Sequence, residues 1–195
     1  FQVLVHVRKL LRLKKMNYRI VYLLKDKPKR YAEKLVKKVY KKFGVNEAYQ
    51  GKNPVHITLK YRFETEDLEK VEEIVKKVCD SYSAFNVELG GVGSFNRNTL
   101  HLEIKPTNEM VSFEKELVKG LDKYRGDLFK FDKELYKSFH VGIAHHDIEN
   151  KFDEIKQYLK KHNKKFRIKV DKIYLIKKPN DKWIIERKFK LKDAN

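Results

Sequence analysis

The sequence predicts a mixed α+β fold in which strands and helices alternate along the chain. Apolar residues recur with period two in some segments and at steps of three and four in others, which predicts strands and helices respectively. The predicted strand pairs at residues 85–104 and 166–191 are typical of antiparallel neighbours. The second half of the chain repeats the order of elements predicted for the first half.

The first half predicts the order β-α-β-α-β-β. Residues 18–24, YRIVYLL, are rich in β-branched and aromatic residues and predict a strand. A helix is predicted for residues 29–43, and Gly44 stands where helices commonly end. Residues 54–63, PVHITLKYRF, predict a strand with a proline at its entrance. The remaining elements are a helix at 66–82 and strands at 85–92 and 99–104. The glycines of GGVGSF, residues 90–95, indicate a turn or bulge, because no P-loop Lys-Ser/Thr follows them.

The second half begins with a predicted helix at residues 108–124, followed by a less regular segment. Residues 138–146, SFHVGIAHH, predict a strand, and a helix is predicted for residues 148–162. Strands at residues 166–176 and 183–191, joined by a turn at 179–181, end the chain. We expect residues 1–15 to be a peripheral extension and residues 16–195 to form a single domain.

The charge balance favours a polyanionic partner. Lys and Arg outnumber Asp and Glu by 46 to 27, a net charge of +19, and such a surface attracts nucleic acid. The alternative is that the Lys-rich helices only keep the protein soluble. A hydrophobic content of 41% excludes a disordered basic tail. No apolar run is long enough to cross a bilayer, so we expect no membrane association.

Cys79 is the only cysteine, which excludes an intrachain disulfide and a zinc site built from thiolates. Its place on the apolar face of a predicted helix, VEEIVKKVC, favours a buried structural thiol over a nucleophile. A cytoplasmic location fits this cysteine usage.

Two similar segments, VHITLKY and FHVGIAH, each place one histidine in a β-branched strand that a helix follows. Strand alternation places His56, Thr58 and Lys60 on one face of the first segment. The same rule places His140 and Gly142 on one face of the second. An imidazole beside a hydroxyl suits a phosphodiester, since one group exchanges a proton near neutral pH while the other holds a phosphoryl oxygen. The alternative is a pair of histidines that only satisfy sheet hydrogen bonds.

The chain resembles the 2H phosphoesterase superfamily, which includes "2′-5′ RNA ligase" proteins and RNA 2′,3′-cyclic phosphodiesterases. The resemblance covers nearly all of residues 17–191. It depends on PVHITLKY, on the strand pair FNVELGGVGSFNRNTLHLEI, on FHVGIA, and on the terminal segments VDKIYLIKKP and WIIERKFKL. It implies a duplicated, two-lobed fold with antiparallel sheets lining a central cleft and helices outside.

The resemblance also implies site residues. His56 and His140 would be the catalytic pair, and Thr58 would bind the phosphate. Gly142 stands where the family has a second Thr or Ser, and loss of such a donor costs about 10²–10³ in rate. A water molecule or the backbone would have to substitute at Gly142, or the activity is weakened or redirected.

The implied reaction opens a 2′,3′-cyclic phosphate at an RNA 3′ end to a 2′-phosphate, without metal or cofactor; 2′-5′ ligation is its reverse. One histidine activates water and the other protonates the leaving oxygen, and the sequence does not say which does which. We expect a monomer acting on RNA. The alternatives are an RNA-end-binding protein with little or no turnover, and a phosphodiesterase acting on 2′-5′ oligoadenylate or a cyclic nucleotide.

Five further residues are weaker candidates. Lys60 would bind phosphate from the same strand face as His56, or is simply a solvated lysine. Arg97 has the same two interpretations. Base stacking on aromatic rings is the candidate role of three others, with core packing as the alternative for each: Tyr22, Phe63 and Phe95.

A metal site is not predicted. His101, His145, His146 and Asp147 are of ligand types. Adjacent strand residues point in opposite directions, however, so we expect that His145 and His146 cannot bind one ion together.

Overall fold

Eight strands form two four-stranded sheets in the part of the chain that the structure, a computed structural model, describes: residues 16–50, 53–132, 138–180 and 182–193. The first sheet contains β1 (Asn17–Leu23), β2 (His56–Glu64), β7 (Lys172–Lys178) and β8 (Ile184–Lys190), in the order β2-β1-β7-β8. The second contains β3 (Phe85–Phe95), β4 (Thr99–Lys105), β5 (His140–His145) and β6 (Phe166–Val170), in the order β5-β4-β3-β6. All neighbouring strands pair antiparallel, which confirms the predicted fold class. The predicted extension, residues 1–15, lies outside the described residues.

The helices pack on the sheets crosswise, so that a helix that follows a strand of one sheet contacts the other sheet. They are α1 (Asp26–Phe43), α2 (Glu47–Gln50), α3 (Leu68–Cys79), α4 (Asn108–Gly120) and α5 (Phe152–Lys161), with 3-10 turns at Phe129–Asp132 and Glu149–Lys151. Helix α1, which follows the first strand of one sheet, contacts β5 of the other sheet, and α4 contacts β2. This exchange agrees with the predicted duplication.

Helix ends follow their capping residues. Gly44 ends α1 in the left-handed region at φ 70°, and its N–H donates to the carbonyl of Tyr40, as predicted for this glycine. The helix begins at Asp26, three residues before its predicted start, because Pro28 fits in the first turn, where a missing N–H is tolerated. The side chains of Asp67 and Thr107 cap α3 and α4 by accepting hydrogen bonds from backbone N–H groups.

The single strand predicted for residues 166–176 is wrong. Asp171 divides it into β6, which pairs with β3, and β7, which pairs with β1. The chain therefore passes from one sheet to the other at this residue. The Asp171 carboxylate accepts a hydrogen bond of 2.6 Å from Lys25 Nζ at the crossing. The buried apolar residues are even-numbered before Asp171 (Ile168, Val170) and odd-numbered after it (Ile173, Leu175). The alternation therefore shifts by one residue at Asp171, a signal that the single-strand prediction overlooked.

Two smaller predictions are confirmed. A register shift between Leu89 and Val92 places a bulge at the glycines of GGVGSF. Cys79 is buried, and burial raises the pKa of its thiol to about 12, as expected of a structural cysteine. Among the described helices, none has the length and apolar character needed to span a bilayer.

Candidate functional site

A cleft of about 1030 Å³ lies where the two sheets approach each other. Strands β2 and β5, each at the edge of its own sheet, are in contact here. The four main residues predicted for the site all line this cleft: His56, Thr58, His140 and Gly142. The structure therefore brings the two histidine segments together, with each His and the residue two positions later facing the same space.

The two histidines are held in the same way. His56 Nδ1 donates to the carbonyl of Pro54 at 2.7 Å, and His140 Nδ1 donates to the carbonyl of Ser138 at 2.9 Å. Each ring is thus anchored to the backbone two residues before it. Because a carbonyl only accepts, the proton of each neutral ring is on Nδ1. Nε2 is therefore the nitrogen through which either ring can exchange a proton.

Arg19 is a site residue that the sequence analysis missed. Its Nη1 donates to His56 Nε2 at 3.2 Å, and its guanidinium lies over the Trp183 ring, 4.7 Å from the centroid. Burial lowers the pKa of Arg19 to about 10, which leaves it a cation at neutral pH. The sequence does contain a signal for this role. Arg19 is the one charged residue within the apolar strand YRIVYLL, and a charged residue in such a strand usually has a specific partner.

Two imidazoles near the cleft are neutral at pH 7. Burial, the Arg19 cation and the nearby His140 together lower the pKa of His56 to about 4. Burial, with His140 beside it, lowers the pKa of His101 to about 4 as well. A neutral imidazole accepts a proton, so His56 has the protonation state of a base.

The replacement Arg19→Met is expected to raise the pKa of His56, because it removes the cation that opposes protonation of the ring. Histidine ring resonances followed by NMR from pH 3 to 8 measure this pKa directly. Arg97→Met is the matched control, since Arg97 is paired with Asp153 and is not among the cleft residues. An unchanged His56 titration in Arg19→Met would contradict this electrostatic account.

Gly142 occupies an open position on β5. A Cβ atom built on it has no heavy atom within 4 Å, and its φ lies outside the left-handed region. Neither packing nor backbone conformation therefore requires glycine here. Thr58, the residue in the equivalent position on β2, is 9% exposed and lines the same cleft.

Phe95 is the one predicted stacking residue that lines the cleft. Its ring is 38% exposed, stacks on His101 at 4.4 Å between centroids, and meets His140 edge-on at 4.8 Å. His101 lies 4.9 Å from His140 and is buried. Gly93 makes room for it, since a Cβ there would lie 2.4 Å from His101 Nε2. Phe95 and His101 thus form a wall that fixes one side of the His140 ring.

The prediction that Lys60 binds phosphate is wrong. The register of β2 against β1 shifts between Thr58 and Lys60, so the alternation of faces is broken at this bulge. Lys60 turns into the interior, where it is fully buried with Nζ 2.5 Å from Asp132 Oδ2. Tyr61 faces the cleft instead, and its N–H donates to Asp132 Oδ1 at 2.9 Å.

The predicted stacking roles of Tyr22 and Phe63 are also wrong, because both rings are in the core. Tyr22 is 2% exposed, and its hydroxyl donates to the carbonyl of Lys169. Burial raises the pKa of that hydroxyl. Phe63 is fully buried. Arg97 pairs with Asp153 at 2.8 Å and is not among the residues that line the cleft, so the structure gives no support to a phosphate role for it.

The expectation that the side chains of His145 and His146 point in opposite directions is wrong. Strand β5 ends at His145, and His146 adopts φ 68°, which turns its side chain back toward its neighbour. The ring centroids lie 5.0 Å apart, with Glu47 nearby. Burial, together with the adjacent His146, lowers the pKa of His145. Asp147 accepts a hydrogen bond from the N–H of Asn46 instead of joining this group.

Several solved structures share this fold. TT0787 of Thermus thermophilus is 13% identical, with 92% of this chain and 100% of that chain covered and a TM-score of 0.62. E. coli LigT complexed with phosphate is 10% identical over 92% of this chain and 99% of its own, with a TM-score of 0.57. E. coli LigT complexed with 3′-AMP is 11% identical over 92% and 100%, with a TM-score of 0.55. These identities show the fold alone.

A search of curated proteins finds no match. Residues 26–182 match the sequence pattern of the 2′-5′ RNA ligase superfamily. The matched region includes both histidine segments, all four strands of the second sheet, and β2 and β7 of the first. The chain therefore belongs to the 2′-5′ RNA ligase superfamily, a branch of the 2H phosphoesterases.

Proposed function

We propose that the protein is a metal-independent RNA 2′,3′-cyclic phosphodiesterase that leaves a 2′-phosphate. The observation that carries this proposal is the matched pair of histidines on facing edge strands, each anchored through Nδ1 to the carbonyl two residues earlier. Two imidazoles presented from opposite sides of a cleft supply the base and the acid that phosphodiester hydrolysis requires. The net charge of +19 supports a polyanionic substrate.

We assign the base to His56 and the acid to His140. His56 Nε2 takes a proton from water as the water oxygen attacks phosphorus. The bond from phosphorus to the 3′ oxygen breaks, and protonated His140 donates its Nε2 proton to that oxygen. The product keeps the phosphate on the 2′ oxygen. Thr58 stabilises the charge that develops on a non-bridging oxygen by donating its hydroxyl hydrogen.

Arg19 couples this chemistry to substrate binding. Before substrate binds, its guanidinium donates to His56 Nε2 and adds to the effect of burial, which together lower the pKa of that ring to about 4. A bound phosphate attracts the guanidinium and competes with His56 for its hydrogen bonds. Loss of the contact frees Nε2 and raises the pKa of His56, so the base becomes effective when the substrate is present.

The ligand class has indirect support from proteins of similar fold. E. coli LigT was solved with phosphate and with 3′-AMP, a nucleotide that carries its phosphate on the ribose 3′ oxygen. In this chain, Phe95 and Tyr61 line the same cleft as the histidines. Their rings offer a stacking surface for the terminal base beside the phosphate position.

The direct test is incubation of the protein with a short RNA ending in a 2′,3′-cyclic phosphate, with a chelator present. We expect conversion to a 2′-phosphate end, identified by mass spectrometry and by its resistance to an enzyme that removes 3′-phosphates only. A 3′-phosphate product would contradict the proposed direction of opening. Tight binding without turnover would favour the second candidate function, an RNA-end-binding protein. The observation that favours this candidate is Gly142, which lacks the hydroxyl that turnover would use.

The replacement Gly142→Thr is expected to raise kcat, because it adds the hydroxyl that the second segment lacks at a position with free space. Since one such donor is worth about 10²–10³ in rate, a gain of about 10-fold or more is expected. Gly142→Ala is the matched control, because it adds the Cβ atom without the hydroxyl. Equal or lower activity of Gly142→Thr relative to Gly142→Ala would show that the absent hydroxyl does not limit the rate.

A further inference from the structure

Glu47, His145 and His146 form a compact group next to the two histidine segments. One ligand atom from each of the three side chains lies within 4.8 Å of the other two. Glu47 comes from α2, near the end of α1, while the histidines come from the end of β5. His145 and His146 also line the cleft that contains His56 and His140.

The backbone holds these two segments together without using the three side chains. The N–H of His146 donates to the carbonyl of Asn98 at 2.8 Å, which fixes its left-handed conformation. The N–H of Asn46 donates to Asp147 Oδ2 at 2.7 Å, which joins the residue before Glu47 to the residue after His146. The juxtaposition is therefore produced by neighbouring residues, and it leaves the carboxylate and imidazoles available to a ligand.

His145 has bonding capacity that the described residues do not satisfy. Its Nδ1 is shielded from solvent and has no hydrogen-bond partner among them. A buried polar atom without a partner carries a free-energy cost, so such an atom needs an explanation. The contact between His146 Nε2 and Glu47 Oε1, at 4.0 Å, is too long for a hydrogen bond. Two ligand atoms of a tetrahedral zinc ion lie about 3.4 Å apart, so these two exposed side chains must move closer by about 0.6 Å to bind one ion.

We propose that Glu47, His145 and His146 bind a divalent ion of the Zn²⁺ class. Two imidazoles and one carboxylate are a ligand set that suits zinc, at bond lengths of about 2.0–2.2 Å. Three protein ligands leave a fourth position for water or an anionic oxygen. The bound ion supplies positive charge beside the cleft, where it attracts a phosphate of the ligand away from the reacting one.

This site is independent of the paired-histidine chemistry. The proton transfers assigned to His56 and His140 need no metal, so turnover with a chelator present tests that assignment alone. Zinc binding measured without RNA tests the ion site alone. Failure of one proposal is therefore distinguishable from failure of the other.

The test is titration of the metal-stripped full chain with Zn²⁺ by calorimetry, and with Co²⁺ by visible absorption, which reports the coordination geometry. We expect one ion per chain. Glu47→Gln, His145→Ala and His146→Ala should each weaken binding by more than the ~10–100-fold that loss of a group supporting a metal ligand costs. Zn²⁺ should raise the thermal midpoint of the wild type but not of these variants, while their midpoints without metal remain close to that of the wild type.

Two further variants locate the ion. His162→Ala removes a histidine that is outside the cleft lining and whose Nδ1 is bonded to the Tyr158 carbonyl, so binding should persist. His56→Ala should also retain binding. Loss of binding in His56→Ala with retention in Glu47→Gln would place the ion at the catalytic pair and overturn the proposal. Wild-type affinity in all three ligand variants would overturn it equally.

Discussion

Replacing His56 or His140 by alanine is expected to reduce kcat on an RNA 2′,3′-cyclic phosphate by about 10²–10⁴-fold. Each substitution removes one partner of a proton-transfer pair. The variant without His56 lacks the neutral base, and the variant without His140 lacks the acid that protonates the leaving oxygen. Because the two groups act together, the double variant should be little slower than either single variant.

The same substitutions should leave the fold and the RNA affinity nearly unchanged. Both residues are on edge strands, and each ring donates a hydrogen bond to a nearby backbone carbonyl. His162→Ala is the matched control, since it removes a histidine with the same type of Nδ1 contact outside the cleft lining. Single-turnover kinetics separate the chemical step from binding, and circular dichroism checks the fold. Wild-type rates in either cleft variant would exclude the paired mechanism.

Strand alternation predicted the central part of the site because it holds wherever the ladder is regular. From His56 to Thr58 the register against β1 is unbroken, so both side chains face the cleft as predicted. Gly142 lies two residues after His140 on β5 and faces the same cleft. The order of strands and helices was likewise predictable, since each element has its own period and its own capping or turn residues.

Three of the predictions that failed depend on local breaks in the strands. A bulge after Thr58 turned Lys60 inward, and the left-handed backbone of His146 turned its ring back beside His145. At Asp171 the chain changed sheet, and the apolar alternation shifted by one residue there. The bulge and the left-handed turn depend on neighbouring segments, about which sequence periodicity carries no information. The shift of phase at Asp171, in contrast, is visible in the sequence and was overlooked. Arg19 was missed for a related reason, because its role depends on β1 being paired with β2.

Replacing Lys60, which forms a buried ion pair with Asp132, is expected to destabilise the fold strongly. Both side chains are fully shielded from solvent, and their charges lie 2.5 Å apart. The replacement Lys60→Met keeps most of the volume but leaves a carboxylate in the interior without its cation. Removing one partner of a buried pair costs about 3–5 kcal/mol in the free energy of unfolding, a large part of the stability of a single domain. Denaturation with urea measures this loss.

The interaction between the two charges, rather than packing, should account for most of that loss. The double variant Lys60→Met with Asp132→Asn removes both charges and keeps an oxygen to accept the hydrogen bond from the N–H of Tyr61. It should recover much of the stability, since no uncompensated charge then remains buried. Lys70→Met is the matched control, because Lys70 forms an exposed pair with Glu73, and it should unfold close to the wild-type midpoint. A double variant as unstable as Lys60→Met alone would show that the lysine stabilises β2 by packing. A Lys60→Met variant with wild-type stability but weak phosphate binding would contradict this structural role. It would show instead that Lys60 binds phosphate.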